Sequence, residues 1–154
     1  MKSQVVQSAD GALRIVLNAS QSAQTQSSRF LSDAFGSGVQ HIAFASGDIF
    51  ATAETLAANA VAMLPIPENY YDDLEAKTDL SADAIDRLKA HNVLYDRDGE
   101  AEYFQLYTQT IANRFFFEIV ERRNGYRGFG APNAQIRLAA QTRLTADRAR
   151  ELLR

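Results

Sequence analysis

Cysteine is absent from the 154 residues. That excludes disulfides, thiolate nucleophiles and cysteine-ligated zinc, and it fits a reducing compartment. Histidine is nearly as scarce, with His41 and His91 the only two. No apolar run approaches membrane-spanning length. Behind Met1 and Lys2 the chain is polar, without the apolar core of a signal peptide, so a cytoplasmic protein with no membrane partner is the expectation. Basic charge is also short: 16 Lys and Arg against 19 Asp and Glu leave a net charge of -3 at pH 7. A nucleic-acid partner, which needs a basic face, is therefore not expected. What is present is ordinary for a folded domain, 46% hydrophobic and 23% charged residues in a length that fits one core.

Asp10-Gly11 between the runs 4–8 and 13–17 predicts an opening hairpin, because both turn residues tolerate positive φ. Residues 18–28 are rich in Ser, Gln and Ala and read as a crossover. Phe30, Leu31, Ala34 and Phe35 then form an apolar helical face, ended by Gly36-Ser37-Gly38. Val39 to Ala45 reads as a strand. Asp48 can cap a helix bearing Ile49, Ala53, Leu56 and Ala60, and a short strand over 62–66 is expected after it. Residues 69–92 read as a helical excursion with Ser81 as an N-cap. The pair 93–95 and 103–108 around Asp98-Gly99 suggests a second hairpin; 115–120 is the last strand, and a helix follows from about Asn133 to Leu153. The order is mixed α+β with mainly antiparallel pairing and no internal repeat.

Period-two alternation lets faces be compared between strands. His41 shares a face with Val39 and Ala43, Gln105 with Tyr103 and Tyr107, and Glu118 with Phe116 and Val120. The opposite faces are very apolar. A half-barrel with helices outside and a polar cleft inside would point His41, Gln105 and Glu118 into one cleft. Imidazole and carboxylate suit Fe(II), Mn(II) or Zn(II), and a carboxylate in an apolar strand needs a partner. The bland alternative stands beside this one: a hydrogen-bonded structural histidine, and a Glu118 paired with Arg114, Arg122 or Arg123. His91 reads as a solvated or capping residue, Gly128-Phe129-Gly130 as a turn, and Tyr70-Tyr71-Asp72-Asp73 as surface packing. Arg137, Arg143, Arg148, Arg150 and Arg154 read as the solvated face of the last helix.

Several motifs together carry a family likeness: Ser8-Ala9-Asp10-Gly11 with Arg14 to Asn18, Gly38 to Ala43, Tyr70 to Leu74, Phe116 to Val120, and Gly128-Phe129-Gly130 followed by Asn133. From about Ser3 to about Ala140 the chain resembles the C-terminal half of 4-hydroxyphenylpyruvate dioxygenase, in the vicinal-oxygen-chelate (glyoxalase-like) superfamily. The resemblance implies a non-haem Fe(II) enzyme acting on an aromatic α-keto acid with O2. It places His41 and Glu118 as metal ligands. Gln105 matches a substrate-side glutamine, Phe129 an aromatic pocket wall, and Ser3 and Asn18 polar pocket positions. The family's first histidine ligand lies upstream of the matched region, so two ligands of three are expected here. Ala134 stands where the family carries Phe, and Val16 where it carries Pro. The stretches 64–67, 69–74, 94–98 and 137–140 resemble more closely the dioxygenase-like C-terminal domain of bacterial 3-dehydroshikimate dehydratase fusions.

The expected fold is thus a βαβββ module with a half-barrel sheet over residues 39–123, carrying a helical insert at 69–92. It is preceded by the closing hairpin of a truncated module (1–18) and a crossover (19–38), and followed by a tail helix (124–154). The expected function is an oxidoreductase using Fe(II), or another divalent ion such as Mn, Mg, Co or Zn, on a small aromatic or keto-acid substrate. The alternatives are a non-catalytic interaction domain with its metal site empty, and a glyoxalase-like metal isomerase. An unpaired hairpin edge and an open half-barrel predict a homodimer or packing against another domain.

Overall fold

The computed structural model describes residues 2–19, 26–112 and 114–151. The chain forms two compact units, Met1–Gln40 and His41–Arg154.

In the first unit, β1 (Lys2–Gln7) and β2 (Arg14–Ala19) pair antiparallel with Val5 opposite Val16. The expected hairpin is there, but of the two turn residues only Gly11, and not Asp10, takes a positive φ. Gly11 takes φ +71°, and Asp10 Oδ1 accepts from the Ser8 hydroxyl at 2.6 Å and the Ala12 N–H at 3.1 Å. These bonds hold the Asp10 carboxyl below its ordinary range. The polar crossover lies partly outside the described residues. Its described end already belongs to α1 (Gln26–Asp33). This helix stops short of Phe35, which was expected on its apolar face but takes φ +56° beyond the helix end.

The second unit holds a four-stranded sheet in the order β3-β6-β5-β4, not closed into a barrel. β3 (His41–Ala45) runs parallel to β6 (Phe116–Arg123). β5 (Ala101–Tyr107) pairs antiparallel with both β6 and β4 (Leu94–Asp98). With α2 (Ile49–Ala58) between β3 and the later strands, this is the expected α+β, βαβββ order. The crossover starts where Asp48 Oδ1 accepts the N–H groups of Phe50 and Ala51, both at 3.0 Å. A carboxylate from the sheet completes the cap: buried Glu121 accepts the Ile49 N–H at 2.7 Å. The positive end of a helix is a favourable place for it.

Two expectations change here. Residues 62–66 form no strand. Met63 makes a single bridge to Thr108, and Pro65 and Pro67 have no N–H to extend the ladder. The insert is two helices, α3 (Glu68–Lys77) and α4 (Ala82–Ala90), the second capped by Ser81 as expected. Tyr70 and Tyr71 are not surface residues. They are 8% and 1% exposed and belong to the main core.

The sheet has two unlike faces. Phe104, Leu106 and Ile119 join Ile49 and Phe50 of α2 in the core. On the other face β5 presents Tyr103, Gln105 and Tyr107, and β6 presents Phe116 and Glu118. The last helix, α5 (Asn133–Glu151), begins beside this second face and packs Ala140, with Ile136 and Leu144, into the core. Among the described residues no helix is long and apolar enough to cross a membrane.

Candidate functional site

Register builds the site. His41 opens β3 directly across from Phe116, and Ala43 lies across from Glu118. On the other side of β6, Glu118 faces Tyr107 and Val120 faces Gln105. The three side chains expected in one cleft therefore meet. Glu118 Oε2 is 3.5 Å from His41 Nε2, and Glu118 Oε1 accepts from Gln105 Nε2 at 2.8 Å. Its partners are not Arg114, Arg122 or Arg123. The imidazole stacks on Phe116, 4.9 Å between centroids and 10° between planes, with its side chain 32% exposed.

Behind Glu118 runs a buried polar chain that begins at the sheet edge. β4 is an edge strand, so Tyr95 has an unpaired N–H and C=O there. Tyr70 OH accepts from the Tyr95 N–H at 2.9 Å, and Asn133 Nδ2 donates to the Tyr95 carbonyl at 3.2 Å. A carbonyl can only accept, so the Asn133 amide has one orientation. Its Oδ1 takes the Tyr70 hydroxyl at 3.3 Å and its Nδ2 donates to Gln105 Oε1 at 2.9 Å. Gln105 must then turn its NH2 toward Tyr107 OH at 2.9 Å and toward Glu118. Backbone groups on one edge thus set Glu118 as an acceptor three side chains away. Gly130, at φ +59°, lies against Gln105 and leaves the room this chain occupies.

Burial pushes the His41 imidazole below its ordinary value, against the opposing pull of Glu118, with Arg137 adding to the depression. The neutral ring is the form that binds metals. Burial, with the Glu118 charge behind it, raises Tyr107 well above the usual phenol range. Tyr70 is pushed up to about 12 by burial, and Tyr95 and Tyr126 also reach about 12. All three folded values lie above an unfolded phenol near about 10. Their stabilisation is therefore complete below about pH 10 and is lost as pH rises through about 12. Urea unfolding at stepped alkaline pH is expected to show this decline, shallower in Tyr70→Phe; stability unchanged across the window would contradict it.

Ser3 Oγ donates to Asn18 Oδ1 at 2.7 Å across the hairpin of the first unit. Phe129 is exposed on the turn that carries Gly130. His91 is the C-cap of α4, its Nδ1 2.9 Å from the Arg87 carbonyl, as a capping residue should be. Asn133, Tyr70 and Arg137 were not expected at the site. Arg137 is not on a solvated face: it is half-buried, its guanidinium 5.0 Å from the Phe116 ring centre and 5.7 Å from that of Tyr107. A signal existed, since Arg137 follows Asn133 by four residues and so shares its side of the helix. A separate cavity of about 540 Å³ opens on the opposite face, between Phe44, Leu56, Ile111 and Phe117. It holds none of these converging donors, so the chemistry is assigned to the His41 face.

As a metal site the pair is half complete. Two adjacent ligands with bonds of about 2.1 Å stand roughly 3 Å apart, which the 3.5 Å separation nearly matches. His41 Nδ1, the nitrogen a metal-bound imidazole turns to an outer partner, is buried without one among the described residues. Among the described residues no group of three or more His, Cys, Asp or Glu could hold a metal. The donors present fit as two ligands and do not make a whole centre.

No family model matches the chain. A 3-dehydroshikimate dehydratase of Pseudomonas aeruginosa is 48% identical over 139 residues, covering 90% of this chain and 22% of that protein. Among solved structures, a xylose isomerase-like TIM barrel/4-hydroxyphenylpyruvate dioxygenase fusion protein matches with a TM-score of 0.80 and 44% identity, over 92% of this chain and 23% of that one. The chain is similar to the 4-hydroxyphenylpyruvate dioxygenase-like domain of these proteins. A 4-hydroxyphenylpyruvate dioxygenase of the same organism is 32% identical over 80% of this domain and 35% of its own length. The domain thus spans 22% to 35% of the curated relatives it matches here.

Proposed function

We propose that this is a dioxygenase-type oxidoreductase domain in which His41 and Glu118 hold a divalent metal, Fe(II) first, beside a small aromatic or keto-acid substrate. The observation that carries the reading is the pairing of half-buried His41 with buried Glu118, 3.5 Å apart and locked from behind by Gln105. When bound, Fe(II) supplies activation of O2 and a chelation point for the acid. The chain's own residues do the rest. His41 offers a neutral ring, steadied by Phe116. Gln105 occupies one oxygen of Glu118 and leaves the other for the ion. Tyr107 stays protonated and closes the floor, and Phe129 supplies an aromatic wall. The third ligand comes from outside the described residues.

A second reading is a non-catalytic domain that packs against another domain or a second copy. The two-donor count favours it, as does the likeness to a fusion protein. Metal content separates the two. Expressed in iron-supplemented medium, the full chain is expected to retain Fe, Mn or Zn, and His41→Ala or Glu118→Ala to weaken retention by at least about a hundredfold. Metal unaffected by both substitutions sinks the assignment. Oxygen uptake with 4-hydroxyphenylpyruvate then distinguishes the dioxygenase from a metal-holding but inactive domain.

A further inference from the structure

Arg137 lies one helical turn beyond Asn133, on the side of α5 that meets the polar face. Its Nη1 donates to Gln141 Oε1 at 2.8 Å, and its guanidinium lies over the rings of Phe116 and Tyr107, the neighbours of His41 and Glu118. Among the described residues no carboxylate comes within 4.0 Å of it. Glu118 is felt through space, but its oxygens are directed to Gln105 and His41. The two rings offset part of the desolvation of the cation, and among the described residues its five donors meet only the Gln141 amide oxygen and the Tyr107 hydroxyl. A half-buried guanidinium in that state is matched by the fork of an incoming carboxylate.

We propose that Arg137 is an anion-recognition residue of the candidate site, receiving the carboxylate of a small aromatic acid. The proposal deepens the reading of this face as a substrate site and rests on it, but not on metal being bound. A divalent ion on Glu118 would take up the one negative charge near Arg137. The ligand then best suited carries two anionic groups, one at the ion and one at the guanidinium. In the metal-free protein the competing charge of Glu118 remains, which fixes the sign of a second test.

The experiment titrates benzoate and its neutral analogue benzamide into the metal-free full chain, followed by NMR shifts of the backbone around Phe116 and Arg137. Benzoate is expected to bind roughly tenfold more tightly than benzamide, the difference of one charge-assisted pair at a half-exposed site. Arg137→Gln is expected to erase that preference, Arg137→Lys to keep part of it, and Glu118→Gln to strengthen benzoate by removing the competing charge. A preference that survives Arg137→Gln overturns the proposal. So does equal binding of the two probes, or no benzoate binding at all, as a purely structural arginine would give. Metal retention is measured separately on Arg137→Gln. Metal lost from His41→Ala but kept in Arg137→Gln, with no benzoate preference in the native chain, removes the anion site and leaves the metal site standing. The reverse pattern removes the metal site alone.

Discussion

Gly130→Ala is expected to lower stability by about 3–5 kcal/mol, more than any other glycine substitution in the second unit. Two separate penalties meet at this residue. Its φ of +59° is a left-handed conformation that a Cβ disfavours by about 1–2 kcal/mol. The same Cβ would also stand within the contact distance of Gln105 Oε1, 2.7 Å from Gln105 Cδ and 2.8 Å from Tyr103 Cε1. A free side chain would swing aside. Gln105 is not free, because its amide is tied to Glu118, Tyr107 and Asn133. Gly125 isolates the first penalty: its φ is +76° and an added Cβ meets nothing within 4 Å. Gly125→Ala is therefore expected to cost only about 1–2 kcal/mol. Denaturant unfolding of both variants checks the difference. Equal losses would mean that Gly130 serves only the turn, and that the polar chain behind Glu118 tolerates displacement.

That contrast bears on what could be read from the amino-acid order. The Asp10-Gly11 hairpin and the Asp48 cap were legible because each is settled within a few residues of local chemistry. The meeting of His41, Gln105 and Glu118 was legible for another reason. Strand alternation fixes a face for each residue, and lateral pairing carries the face from strand to strand. The strand at 62–66 failed because Pro65 within it and Pro67 just after it lack ladder donors, leaving one bridge. Tyr70 and Tyr71 were hidden by the acidic residues after them. The burial of Tyr70 answers a tertiary need, the open edge of β4, where its OH accepts from the Tyr95 N–H. Asn133 and Arg137 reach the site through the docking of α5; their spacing of four puts both on one side of that helix, but no local pattern records where the helix docks.

Gln105→Leu is expected to destabilise the domain by about 3–5 kcal/mol although the volume hardly changes. Gln105 is 2% exposed and Glu118 7%. Losing the amide strips one carboxylate oxygen of its donor and leaves the Asn133 NH2 without one of its two acceptors. His41, with its nearest nitrogen at 3.5 Å and its proton affinity already lowered by burial, is too weak a partner to compensate. The cost lies in stranded partners rather than in the lost bond itself, so it should shrink when the partner goes too. The double variant Gln105→Leu/Glu118→Leu is expected to be less destabilised than the sum of the two single variants, by about 2 kcal/mol, and more stable than Gln105→Leu alone. Urea unfolding of the four proteins closes the cycle. Additive losses would show that Gln105 supports β5 packing and not the Glu118 carboxylate, which would remove the amide lock from the site.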